Sequence, residues 1–159
     1  VSERDELAEG CYQSLLARGE TVATAESLTG GLLGGALTSV SGISAVYRGG
    51  VIAYAVDVKA AVLGVPQALL DRYGPVHPDT AAAMATGVRR LLGATYGLST
   101  TGVAGPLPHG GEPAGTVDIA CVGPGGPVLR RLRLDGDREQ IRARTVHTAL
   151  DLLRLCLAR

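Results

Sequence analysis

Three polar residues have the types and places that covalent chemistry requires: Ser27, Tyr54 and Lys59. Ser27 lies in Ala23-Thr-Ala-Glu-Ser-Leu-Thr-Gly-Gly31, between a short β-branched stretch (Thr21, Val22, Thr24) and an apolar, glycine-rich run from Leu32 to Val40. That pattern predicts a serine where a strand turns into a helix. The first N–H groups of a helix lack intrahelical partners and carry the positive end of its dipole, so an anion or a developing oxyanion is favoured beside them. Gly30 and Gly31 would let a ligand approach that backbone without a Cβ in the way. A plainer role is open to the same residues, since Ser27 or Thr29 would also serve as an N-cap.

A serine hydroxyl needs a base to become a nucleophile, and Lys59 is the candidate. A charged lysine near a helix start is disfavoured by the dipole, and partial burial would lower its pKa from about 10.4. It could then take the serine proton, with Tyr54 relaying a proton or stabilising the lysine. The competing assignment leaves Tyr54 with a packed ring and a wet hydroxyl, and Lys59 solvated on an exposed turn. A serine–lysine pair needs no histidine. His77 reads as a helix-start residue and His147 as part of the last helix, while His109 sits in a loop from which it can touch substrate.

The elements that must position these groups follow from periodicity and turn chemistry. Residues 3 to 18 read as a helix, with Leu7, Cys11 and Leu15 on one face and Gly19 at its end. A strand over about Thr21 to Ala25 precedes the Ser27 junction and a helix to about Val40. Val46 to Val56 reads as a long strand, with a bulge or close backbone approach at Gly49-Gly50. Asp57 would cap a short helix carrying Lys59, and Gln67 to Tyr73 makes another. His77-Pro78-Asp79 opens a helix whose stripe is Met84, Val88, Leu91 and Leu92. Gly97 to Val103 is a third strand, followed by a Gly- and Pro-rich loop from Gly102 to Gly115 of the kind that carries function. A hairpin over Thr116 to Val122 and Val128 to Leu134 leads to a last helix from Asp137. Such interleaving predicts a single α/β domain over residues 1–159, with three layers, α/β/α, and a mixed sheet.

Composition narrows the function classes. Fifteen basic and fifteen acidic residues cancel, and with no Phe or Trp there is neither a cationic field nor a stacking platform for nucleic acid. Cys11, Cys121 and Cys156 are far apart in the sequence and sit in apolar patterns, which predicts buried, reduced thiols and a cytoplasmic setting. No apolar run reaches the length of a membrane span, and no export signal precedes the first helix.

Several spaced motifs occur in order: Ala25-Glu-Ser-Leu-Thr-Gly-Gly31, Gly49-Gly-Val-Ile-Ala-Tyr-Ala-Val-Asp-Val-Lys59, Leu63-Gly-Val-Pro66, Thr101-Gly-Val-Ala-Gly-Pro106 and Pro113-Ala-Gly-Thr-Val117. Together they resemble the C-terminal domain of the CinA family (competence/damage-inducible protein), also known as nicotinamide-nucleotide amidase. The resemblance implies a mixed, mostly parallel five-stranded sheet and a homodimer. It also implies hydrolysis of the carboxamide of nicotinamide mononucleotide to nicotinic acid mononucleotide and ammonia, with no cofactor and no metal. By the same resemblance Ser27 would be the nucleophile, Lys59 its base and Tyr54 an assisting group. Thr29, Gly30 and Gly31, with Thr101, Gly102 and Gly105, would surround the nucleotide and the oxyanion. Arg142, in Asp-Arg-Glu-Gln-Ile-Arg, resembles a family arginine near the substrate and could hold a phosphate.

Departures from the family pattern bear on substrate. Leu28 stands where cysteine is common, and Ala55-Val-Asp-Val58 replaces a more polar stretch. Leu107 to Glu112 replaces a glycine-rich segment that usually ends in lysine, so a different nucleotide, or a non-catalytic nucleotide-binding domain, is the alternative expectation. A purely structural dimerisation domain is a third. The N-terminal domain of longer family members is absent from this sequence, and its activities are not expected here.

Overall fold

Local signals set each element's limits in the computed structural model, which describes residues 2–159. Helix α1 (Glu3–Arg18) opens on the Ser2 hydroxyl and closes on Gly19, whose left-handed backbone (φ 63°) returns its N–H to the last turn. Strand β1 (Val22–Glu26) leads through a tight turn into α2 (Leu32–Thr38), and a 3-10 turn (Ile43–Ala45) precedes β2 (Tyr47–Ile52). Three helices follow, α3 (Val56–Ala61), α4 (Gln67–Tyr73) and α5 (Pro78–Leu92). Then come β3 (Tyr96–Gly102), β4 (Thr116–Gly123), β5 (Gly126–Arg133) and α6 (Arg138–Leu157). Asp137 and Gln140 form a reciprocal capping box at the start of α6.

The five strands lie in the order β2-β1-β3-β4-β5. β1 runs parallel to β2 and β3, while β4 pairs antiparallel with β3 and β5, so β4 alone runs against the rest. Helices α1, α2 and α6 cover one face, where Val22, Leu98 and Ile119 meet Leu33, Leu37 and Leu150. Helices α3, α4 and α5 cover the other, where Ala23 and Ala25 meet Leu63, Met84 and Val88. This is the expected α/β/α arrangement with a mixed sheet. The parallel half brings the C-terminal ends of β1, β2 and β3 to one edge, where open α/β sheets bind ligands.

Three local expectations need correction. β2 ends at Ile52, not Val56: the Ala53 N–H makes the last ladder bond, to the Glu26 carbonyl (2.8 Å), and Val56 already belongs to α3. Asp57 lies inside the first turn of α3, and Ala55 occupies the cap without a side-chain bond. Leu91 is 53% exposed, since the buried stripe of α5 runs through Ala81, Met84, Ala85 and Val88. The irregularity foreseen in β2 is present: the register shifts between Val22 and Ala23, which pair with Tyr47 and Gly49.

Close approach of α5 depends on missing side chains. A Cβ on Gly87 would lie 1.8 Å from the Leu63 carbonyl oxygen, and one on Gly97 would lie 2.0 Å from that of Ala85. Gly87→Ala is therefore expected to destabilise the fold by about 1–3 kcal/mol through overpacking. Helix propensity alone predicts the opposite sign, a gain of roughly 1 kcal/mol. The midpoint of urea unfolding, at unchanged slope, decides between them.

Candidate active site

The strand that carries the serine does not stop cleanly. Beyond Glu26 the Ser27 N–H still donates to the Thr100 carbonyl on β3 (3.0 Å), and only then does the chain turn, with Gly30 N–H bonded to the Ser27 carbonyl (3.1 Å). Side-chain alternation carried one step past β1 sends Ser27 toward the α3 face. Lys59 meets it there. The Lys59 ammonium nitrogen lies 3.1 Å from Ser27 Oγ, 2.8 Å from the Ala53 carbonyl oxygen and 3.2 Å from that of Tyr54.

Lys59 is among the largest fully buried side chains, at 1% exposure. No carboxylate pairs with it among the described residues. Burial in this apolar setting penalises its charged form and pushes its pKa down to about 8. The two carbonyls accept two N–H bonds, so a neutral amine keeps its lone pair for the third direction, toward the Ser27 hydroxyl. A base and a nucleophile are thus in contact.

The pair opens on a cleft of about 580 Å³, a volume suited to a small molecule or nucleotide. Tyr54, Thr101, Gly102, Gly105, His109 and Arg138 contribute to its walls. Tyr54 meets Lys59 only through its carbonyl; its hydroxyl accepts from Arg138 (3.2 Å) and its side chain is exposed at the rim. No hydrogen bond joins that hydroxyl to Ser27 or Lys59, so the geometry gives it no direct relay. Thr101 lines the cleft while its hydroxyl donates to the Pro75 carbonyl (2.6 Å), which ties the α4–α5 connection to β3.

Thr29, Gly30, Gly31 and Arg142 lie outside the cleft. Thr29 is fully buried, donating to Glu26 Oε1 (2.5 Å) and lying 2.8 Å from the Thr100 hydroxyl. Arg142 donates from Nε to the Leu28 carbonyl (2.9 Å) and from Nη2 to the Thr29 carbonyl (3.3 Å), so it holds the serine turn from α6. The cation that does face the cleft is Arg138, one helical turn earlier, which also donates to the Gly105 carbonyl (2.8 Å). The α2 N-terminus is not open to a ligand either. The Glu26 carboxylate takes the N–H groups of Gly31 (3.1 Å), Leu33 (2.9 Å) and Gly34 (3.0 Å). Beside Ser27, the N–H groups of Leu28 and Thr29 donate to no group among the described residues.

The CinA C-terminal domain family matches residues 4–157. The chain belongs to that family. A CinA-like protein of Frankia casuarinae is 56% identical over 155 residues, which is 97% of this chain and 36% of that protein. A CinA-like protein of an Anaeromyxobacter species is 50% identical over 157 residues, 97% of this chain and 38% of its own length. The chain thus spans little more than a third of the curated relatives it matches. Among solved structures, a CinA superfamily protein from Klebsiella pneumoniae superposes with a TM-score of 0.95 at 35% identity, covering 99% of each chain. The competence/damage inducible protein CihA of Agrobacterium tumefaciens gives 0.94 at 36% identity, covering 100% of this chain and 98% of its own.

In this CinA C-terminal domain the segment from Leu107 to Glu112 forms a small loop over the cleft, closed by reciprocal backbone bonds between His109 and Glu112 (3.0 Å each). Glu112 ion-pairs with Arg131 and Arg133 on β5 (3.4 Å each), and Arg131 also forks onto the buried Asp118 carboxylate (2.9 and 3.1 Å). The loop is therefore pinned to the sheet by acid–base pairs, with His109 in the cleft wall.

Proposed function

We propose that this CinA C-terminal domain is a serine–lysine amidohydrolase acting on nicotinamide mononucleotide. The observation that carries the reading is the 3.1 Å contact between Ser27 Oγ and a buried Lys59 whose pKa falls to about 8. Neutral Lys59 accepts the hydroxyl proton as Ser27 attacks the carboxamide carbon. In this reading the oxyanion that forms is held by the Leu28 N–H, which stands beside Ser27 at the cleft wall and donates to no group among the described residues. Collapse breaks the C–N bond, and the proton on Lys59 passes to the leaving nitrogen, releasing ammonia. Water, deprotonated by Lys59, then hydrolyses the acyl-serine to nicotinic acid mononucleotide.

In this reading Arg138 receives the phosphate and Tyr54 shields the reacting end, while Thr101, Gly102 and Gly105 shape the wall. Family resemblance adds a homodimer, and the three unpaired cysteines a cytoplasmic setting; none of the described helices is long and apolar enough to cross a membrane. Arg138→Ala is expected to raise KM at least tenfold with kcat largely kept, since a charge-assisted hydrogen bond contributes about 1.5–3 kcal/mol. Steady-state kinetics on the mononucleotide check that split.

The acidic anchoring of the 107–112 loop through Glu112 favours a second reading, a nucleotide-binding domain without turnover. Ammonia release from nicotinamide mononucleotide, by the parent beside Ser27→Ala, separates the two. Release that vanishes in the variant supports the amidase. Release that persists in Ser27→Ala overturns the nucleophile, and binding without release in either protein supports the second reading.

A further inference from the structure

Glu26 is buried to 3% exposure at the end of β1, yet it pairs with no cation among the described residues. Alternation along the strand turns its side chain to the α2–α6 face, away from the cleft that Ser27 faces, and it is not among the residues lining that cleft. Its partners are three N–H groups of the α2 end and the Thr29 hydroxyl, every one a donor. Because Thr29 donates to Glu26, the bond between the two threonines runs from Thr100 to Thr29, and Thr100 is the residue whose carbonyl holds the Ser27 N–H. The carboxylate is thus bonded to the far end of the turn that presents the serine, and through Thr29 and Thr100 it is linked to the near end.

The glycines of the motif belong to the same arrangement. Gly30 and Gly31 have φ of 54° and 104°, the left-handed region that a side chain resists, and this bend delivers the Gly31 N–H to the carboxylate. A Cβ on Gly34 would lie 3.4 Å from Glu26 Oε2 and 2.9 Å from the Tyr47 hydroxyl. Gly31 and Gly34 therefore make room for an internal anion. We propose that Glu26 is the positioning residue of the nucleophile: it fixes the Ser27–Gly31 turn, and through it the aim of Ser27 Oγ at Lys59 and of the Leu28 N–H at the oxyanion. The inference rests on Ser27 being the nucleophile, and it is independent of which amide the enzyme accepts.

A glutamine at this position has the same size but turns an NH2 group toward a backbone N–H. Loosening a nucleophile by a fraction of an ångström slows chemistry without weakening ligand contacts. The test is the rate at which a fluorophosphonate modifies Ser27, a reaction in which an Oγ–P bond forms, the P–F bond breaks, fluoride leaves and Lys59 takes the serine proton. Parent, Glu26→Gln and Thr29→Val are compared, alongside kcat and KM for nicotinamide mononucleotide. Glu26→Gln is expected to lower labelling and kcat together by about 10- to 100-fold, with KM within about twofold and the pH midpoint of labelling unmoved. Thr29→Val, which deletes one donor at constant volume, gives a several-fold loss of the same kind and stands in if Glu26→Gln does not fold. Parental labelling in both variants overturns the inference, as does a raised KM at constant kcat or a displaced pH midpoint. A parent labelled at Ser27 without ammonia release leaves the inference standing and overturns the substrate; a parent that shows neither overturns both.

Discussion

Lys59→Met is expected to cost about 10²–10⁴-fold in turnover, the range that a positioned general base supplies, with the fold intact. Methionine matches the lysine stem in length and apolar character, so the cavity stays filled and what disappears is the amine. The same amine should leave its mark on the parent's pH profile. A protonated Lys59 cannot accept the serine proton, so kcat/KM should rise with pH and level off above about 8, the value to which burial brings the group. A profile flat across that range, or a methionine variant with near-parental turnover, would remove Lys59 from the mechanism. Measuring both matters because they fail for different reasons: the variant tests the presence of the base, and the profile tests its charge state.

How far the sequence led to this site depends on which physical signal each residue leaves. Ser27 and Lys59 are legible because each is a polar residue in an apolar context, Ser27 at a strand-to-helix junction and Lys59 in the short helix α3. Glycine pairs and proline starts marked most element limits for the same reason, and Gln67–Tyr73 matches its expected bounds. What periodicity does not encode is where a side chain goes once elements pack. Arg138 and Arg142 lie four apart on one face of α6, and the residue types alone do not say that the first faces the cleft and the second the serine turn. Glu26 stood in the motif beside the serine, but an acidic residue ending a strand reads as exposed. Only the fold reveals that its carboxylate occupies the α2 end, where it takes the Thr29 hydroxyl and the Gly31 N–H, with Thr29, Gly30 and Gly31 outside the cleft wall. The second strand reads as continuing to Val56 because Ala53-Tyr-Ala-Val56 carries no charge; in the fold the chain leaves the sheet there, and the Ala53 and Tyr54 carbonyls turn toward Lys59.

Those carbonyls bear on the second large effect, a pH dependence of stability that Lys59 alone should impose. Its pKa is about 8 in the fold against an ordinary value of 10.5, so between those limits the unfolded chain binds more protons than the native one. Stability then rises with pH through that window, because raising pH removes a proton that the unfolded state prefers to keep. Below about 8 the full penalty of burying the cation is present, on the order of 3 kcal/mol at about 1.4 kcal/mol per pKa unit. Acids whose pKa values burial raises, Cys11 and Tyr47 among them, work in the opposite direction as they ionise, and they do so equally in parent and Lys59→Met. The quantity to measure is therefore the difference between the two proteins in urea unfolding at pH 7, 8, 9 and 10. At pH 7 that difference is expected to be small, because methionine relieves the buried charge but strands two carbonyls, each at roughly 1–3 kcal/mol. By pH 10 the parent should have gained about 2–3 kcal/mol on the variant. A difference that does not change with pH would mean that Lys59 keeps an ordinary pKa despite its burial. It would then stay charged up to about 10.5, its lone pair occupied across the whole window, and the serine would have no base within reach there.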